Sequence, residues 1–133
     1  GGDVGQSASL ALEPVANRPR IAYYDATNAD LKYAAWDGSA WQISAADNSL
    51  DDVGQYASLA LEPGTNDPRI AYYDATSRDL KLATWTAGWI IETVEASGDV
   101  GKYASLRLHP VSKKPRIAYY NATALDLKYA EKL

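Results

Sequence analysis

Tryptophans, arginines and aspartates recur at matched positions along this chain, and they are the side chains with chemistry to offer. Trp36 and Trp41 bracket one short Gly-containing segment, and Trp85 and Trp89 bracket another. Exposed indole faces stack on sugar rings. The commoner use of such aromatics is to pack on a neighbouring unit or to hold a hairpin as a cross-strand pair. Arg20, Arg69 and Arg116 each open the same Arg-Ile-Ala-Tyr-Tyr stretch. Three guanidinium groups at equivalent points could ring an acidic ligand, or each could serve its own unit by pairing with the equivalent Asp or a carbonyl.

The pairs Asp25/Asp30 and Asp74/Asp79, with Asn121/Asp126, offer oxygen ligands of the kind calcium takes. Their spacing is not that of an EF-hand loop, and no third carboxylate lies in the turn. Side chains bonding their own backbone to shape a turn explain them better, so no metal is expected. Asn121-Ala122-Thr123 reads as a glycosylation sequon, but its counterparts begin with Asp, so turn chemistry explains it better too. His109 is the single His, and it stands where the other units have Glu13 and Glu62. Catalytic constellations are asymmetric, with several roles converging on one point. This chain repeats the same few residues, so no catalytic residue, no cofactor and no enzymatic activity are expected.

The elements that must position these residues come in three copies. VGQSASLALEP from Val4, VGQYASLALEP from Val53 and VGKYASLRLHP from Val100 are one segment repeated. RIAYYDATNADLKYA, RIAYYDATSRDLKLA and RIAYYNATALDLKYA are a second. Tyr24, Tyr73 and Tyr120 recur at spacings of 49 and 47 residues. Within a unit, short apolar runs alternate with Pro, Gly and Asx punctuation, too closely for helices. The first unit reads as a strand over Ser9–Leu12, a second after Pro19, a third from Asp30, a hairpin from Trp36 to Trp41, and a fourth strand over Trp41–Ala45. Four strands at this period is the arithmetic of a β-propeller blade. The fold class is therefore all-β. Blades lie at about 3–50, 51–98 and 99–133 of a single propeller segment over 1–133, the last truncated to three strands. Leu10/Leu12, Leu59/Leu61 and Leu106/Leu108, with the Tyr pairs at 23–24, 72–73 and 119–120, are the expected core between blades. Ser9 and Ala11 form the small face that receives them.

Composition narrows the class. The chain has 133 residues, 47% hydrophobic and 23% charged, as ordinary globular domains do. It has no Cys, Met or Phe, and 10 Tyr and 4 Trp supply the aromatic surface. Lack of oxidisable sulfur suits an extracellular site. The formal net charge of -4 does not suit a phosphate backbone as partner, so nucleic acid is not expected, and no apolar run is long enough to span a membrane. Residues 1–98 carry 14 acidic and 6 basic side chains, whereas residues 99–133 carry 3 and 7.

The pattern VGxxxSLAL, PRIAYYDATxxDLKYA and W–GxW resembles repeats of secreted or surface proteins of bacteria and archaea described as β-propeller-like. Its first two strands also resemble the NHL-type blade. The resemblance covers the whole chain and implies blade architecture; such repeats carry many activities. The Trp–Gly–Trp hairpin is loosely similar to that of the small fucose-binding propeller lectins, some of which build a ring from partial chains. Their sugar-contacting set of Arg, Glu and Trp has no residue-by-residue match here.

Three blades cannot close a ring, so the end blades are expected to be covered by another copy or by a longer parent chain. The leading expectation is a non-catalytic extracellular binding or interaction module for carbohydrate or protein. Its ligand candidates are Trp36, Trp41, Trp85, Trp89, Arg20, Arg69 and Arg116, on a loop rim. One alternative is a structural subunit of a ring or filament, assembled head to tail, with a six-bladed dimer as the closed form. Lys102, Arg107, Lys113 and Lys114 at the basic end are its expected assembly residues, drawn to an acidic first half. A second alternative is a non-catalytic fragment of a larger enzyme.

Overall fold

The computed structural model describes residues 1–132, and among them there is no helix. Strands β1 (Val4–Leu12), β2 (Pro19–Asp25), β3 (Asp30–Trp36) and β4 (Trp41–Asp47) form one antiparallel sheet. Strands β5 (Val53–Leu61), β6 (Pro68–Asp74), β7 (Asp79–Trp85) and β8 (Trp89–Glu95) form the second. Strands β9 (Val100–Leu108), β10 (Pro115–Asn121) and β11 (Asp126–Glu131) form the third. Each sheet is a meander in which sequence neighbours pair, and the three stand in tandem as propeller-like blades that do not close. The first strands β1, β5 and β9 lie closest across blades, whereas β4 and β8 scarcely meet. The blades therefore fan outward from an edge formed by their first strands.

The first strands are longer than the Ser9–Leu12 run, because β1 begins at Val4 and its counterparts at Val53 and Val100. The Gly that follows each of these Val residues sits in a bulge. Gly54 at φ 110° and Tyr56 at φ 55° take left-handed conformations, and the pairing to β6 shifts register on both sides of Gln55. A bulge of this kind bends the strand without ending it. The fourth strand likewise runs on to Asp47.

Two seams join the blades, and they share a set of contacts. Leu59 N–H donates to Ser9 Oγ at 2.9 Å, and Leu106 N–H donates to Ser58 Oγ at 2.9 Å. Val53 N–H donates to the Ala29 carbonyl and Val100 N–H to the Arg78 carbonyl, each at 3.0 Å. The Tyr24 hydroxyl donates to Asp52 at 2.6 Å, and that of Tyr73 to Asp99 at 2.7 Å. Gly54 and Gly101 lie so close to Leu31 and Leu80 that an added Cβ would sit 2.8 Å from a backbone Cα in each case. Between these polar contacts, Leu59, Ile70 and Tyr72 pack on Ala22, Leu31 and Tyr33, and Leu106, Ile117 and Tyr119 pack on Ala71, Leu80 and Leu82.

The expected core is thus present at both seams but not at the ends. Leu59 and Leu106 are 5% and 0% exposed, while Leu10 is 64% and Leu12 53% exposed. Among the described residues no sheet packs on the outer face of β1. Ala11 and Ala60 pack against the next blade as the small face requires.

Candidate functional site

Each candidate side chain is held first by its local backbone. Trp36 and Trp41 are direct cross-strand partners, as are Trp85 and Trp89, with ring centroids 5.5 Å apart in both pairs. In the first hairpin Asp37 accepts the N–H groups of Ser39 and Ala40. Those bonds hold its carboxyl well below the usual carboxylate range. Asp25 accepts from the N–H groups of Thr27 and Asn28, Asp74 from those of Thr76 and Ser77, and Asn121 from those of Thr123 and Ala124. These are the self-bonded turns expected of Asx residues. Among the described residues no three His, Asp or Glu side chains gather as a metal-holding group.

Each arginine pairs with a Glu of its own blade rather than with the equivalent Asp, and Arg69 also bonds a carbonyl, the other expected partner, on the third blade. Arg20 pairs with Glu13 and donates to the Tyr33 hydroxyl at 2.9 Å. Burial works against its charge, but those two partners hold the guanidinium above its ordinary value. Arg69 pairs with Glu62 at 2.8 Å and donates to the Lys113 carbonyl at 2.9 Å. In the third blade His109 occupies the Glu position and caps its own turn through Nδ1, so Arg116 turns to Glu131 at 2.8 Å. Of the basic assembly candidates, Lys102 pairs with Asp99 and lies over the Tyr73 ring, and Lys113 pairs with Glu62; both are turned toward the second blade. Arg107 and Lys114 are exposed, and Arg107 bonds the Leu106 carbonyl.

One inter-blade cleft brings several candidates together. It has a volume of about 350 Å³ and lies between β3–β4 of the first blade and the β5–β6 loop and tryptophan hairpin of the second. Arg20, Trp85 and Trp89 line it, with Tyr33, Gln42, Ser44, Asn66 and Asp67. Trp89 meets Tyr33 edge to face at 5.5 Å, and its buried Nε1–H has no acceptor among the described residues. Trp36, Trp41, Arg69 and Arg116 stand apart from this cleft. The corresponding space between the second and third blades, about 310 Å³, has no tryptophan and is bounded by Tyr119, Tyr129, Glu95 and Glu131.

Gln42, Ser44, Asn66 and Asp67 were not candidates from the sequence. For Gln42, Ser44 and Asp67 the signal lay in their failure to repeat: register places Ile90 and Glu92 where the first blade has Gln42 and Ser44, and Asp67 stands where the first blade has Arg18, whereas Asn66 repeats Asn17 and gave no such signal. Compared with known proteins, the chain matches no family model, and no curated protein is similar to it in sequence.

Proposed function

We propose that the chain is a non-catalytic, extracellular propeller module that binds a neutral polar ligand, a saccharide above all, in the cleft between its first two blades. The observation that carries this reading is the buried, unpartnered Nε1–H of Trp89 beside a second tryptophan, Trp85. A buried donor left unpaired costs about 1–3 kcal/mol. A ligand oxygen would satisfy it, while the half-exposed Trp85 supplies a face for a sugar ring. Glu13, Arg20 and Tyr33 are tied to one another, which favours binding over acid–base chemistry. The site lies between blades rather than on a loop rim.

Glycan-array screening followed by titration of a hit tests the reading. Trp89→Phe keeps the ring and removes the donor, and it should weaken binding roughly tenfold, the equivalent of one hydrogen bond of about 1.4 kcal/mol. No binding to any neutral saccharide, or equal binding by Trp89→Phe and Trp85→Ala, would overturn it. A second reading, as a subunit that associates through its end blades, is favoured by the apolar surface those blades expose. Leu127 and Tyr129 are 80% and 59% exposed at one end, and Val4 and Leu10 are 56% and 64% exposed at the other.

A further inference from the structure

The two open ends of the molecule carry opposite halves of the seam that joins its blades. At the seams, Val53 and Val100 are each 1% exposed, but their counterpart Val4 is 56% exposed. Leu31 and Leu80 are fully buried, but their counterpart Leu127 is 80% exposed. The polar contacts common to both seams are split in the same way. Asp52 and Asp99 receive tyrosine hydroxyls from the preceding blade, whereas among the described residues the Asp3 carboxylate receives only the Gln6 amide, from its own blade. Tyr120 stands at the other end in the place of Tyr24 and Tyr73. Ser105, in the place of Ser9 and Ser58, is exposed. Gly54 and Gly101 lie against Leu31 and Leu80, whereas nothing lies within 4 Å of a Cβ built on Gly5.

From this we infer that the β1 face of one copy docks on the β9–β11 face of a second copy through the same contacts that join blades within the chain. The inference rests on the self-association reading and gives it direction and register. The Tyr120 hydroxyl donates to Asp3, Leu10 N–H donates to Ser105 Oγ, and Gly5 settles against Leu127. Trp41, 42% exposed, meets Tyr129 as Trp89 meets Tyr33. Because the two faces are different, the contact is heterologous: two copies close a ring if the rotation permits, and a filament grows if it does not. Of the basic assembly candidates, Lys102 and Lys113 are already paired inside the molecule, and Arg107 and Lys114 are exposed. Tyr23 is one misfit: it stands where Tyr72 meets Asp47 on β4, and the described strands of the third blade include no fourth strand to supply that partner. Arg107 is the second misfit. It occupies the position at which Ala11 and Ala60 meet the next blade, and the docked state must swing it aside.

Light scattering across a concentration series tests the inference, starting from a chain mass of 14.4 kDa. Leu10→Glu blocks one face and Leu127→Glu the other. Both residues are exposed, so neither change removes packing within the chain; circular dichroism checks that each variant stays β-rich. The wild-type chain should give a particle of about twice the mass, or a growing polymer, since head-to-tail contacts allow both. Each variant alone should remain a monomer. Their mixture should form open pairs, because each supplies the face the other lacks. Arg107→Ala should strengthen association. A monomeric wild-type chain at the highest concentration reached would refute self-association as a whole. Pairing by either variant alone would show a like-to-like contact and refute only the head-to-tail register, as would a mixture that stays monomeric or weaker association in Arg107→Ala. Saccharide binding at the cleft, measured on the same variants, is unaffected by either failure.

Discussion

A carboxylate that receives a tyrosine hydroxyl across a blade seam couples the packing of two sheets to pH. Asp99 is the clearest case. Burial opposes its charge, but the hydroxyl of Tyr73 and the nearby Lys102 outweigh burial and hold its carboxyl below the usual range. Burial, and then Asp99 itself, push the Tyr73 hydroxyl up, so it stays a donor at any ordinary pH. A group with a depressed folded pKa adds stability above its unfolded pKa and loses it as pH falls through the folded one. Asp25, lowered by its Asn28 contact, adds to the same trend. The fold should therefore weaken progressively below about pH 4, where unfolded aspartates begin to protonate. Tyr73→Phe should raise the Asp99 pKa, read by carboxyl NMR titration, and should cost about 1–2 kcal/mol at neutral pH in a urea melt. An unmoved Asp99 pKa would show that the hydroxyl does not stabilise the charge. The buried Tyr72 hydroxyl donates to Asp47 at 2.6 Å across the other seam, and Tyr72→Phe should lower stability in the same urea melt.

At the scale of the strand, the glycine bulge decides how closely two blades can approach. Gly5 and Gly54 occupy the same place in β1 and β5, at φ 98° and 110°. Replacing either with Ala incurs the left-handed penalty of about 1–2 kcal/mol. Only Gly54→Ala adds a clash, since its Cβ would sit 2.8 Å from the Leu31 backbone, which cannot move as a side-chain tip can. Gly54→Ala should therefore be the more destabilising by at least about 1 kcal/mol in chemical denaturation of the monomer. Equal losses would mean that the seam is looser than these contacts require.

Over the whole molecule, burial follows the position of a blade rather than its sequence. Leu59 and Leu10 lie in nearly identical segments, yet one is 5% and the other 64% exposed. Leu59→Ala should cost about 2–5 kcal/mol, as large-to-small core changes do. Leu10→Ala in the monomer should cost less than about 1 kcal/mol, since it leaves no internal cavity. Thermal or urea melts of the two variants at low concentration make the comparison. Similar losses would mean that the first blade is covered by something other than a neighbouring blade.

The repeat period, the Pro and Asx punctuation and the alternation of Leu with Ser and Ala determined the eleven strands, their meander order and the two faces of each first strand. Those features are local, since strand direction and turn chemistry depend on residues only a few positions apart. The sequence also determined that Trp36 faces Trp41 and Trp85 faces Trp89, because a short hairpin leaves little choice of register. It could not show that Gly5 and its counterparts lie within strands, because a bulge and a turn ask the same freedom of glycine. Nor could it show that Arg20 takes Glu13 for a partner while Arg116 takes Glu131, a choice made where His109 displaces the Glu. The cleft belongs wholly to the tertiary structure. Tyr33, Gln42 and Ser44 come from one blade and Asn66, Asp67 and Trp89 from the next, and only the stacking of sheets brings them around one space. The ends are likewise a tertiary fact: Leu10 and Leu127 carry the residue types of a buried core and lie open because burial depends on a neighbour's face as well as on the residue itself.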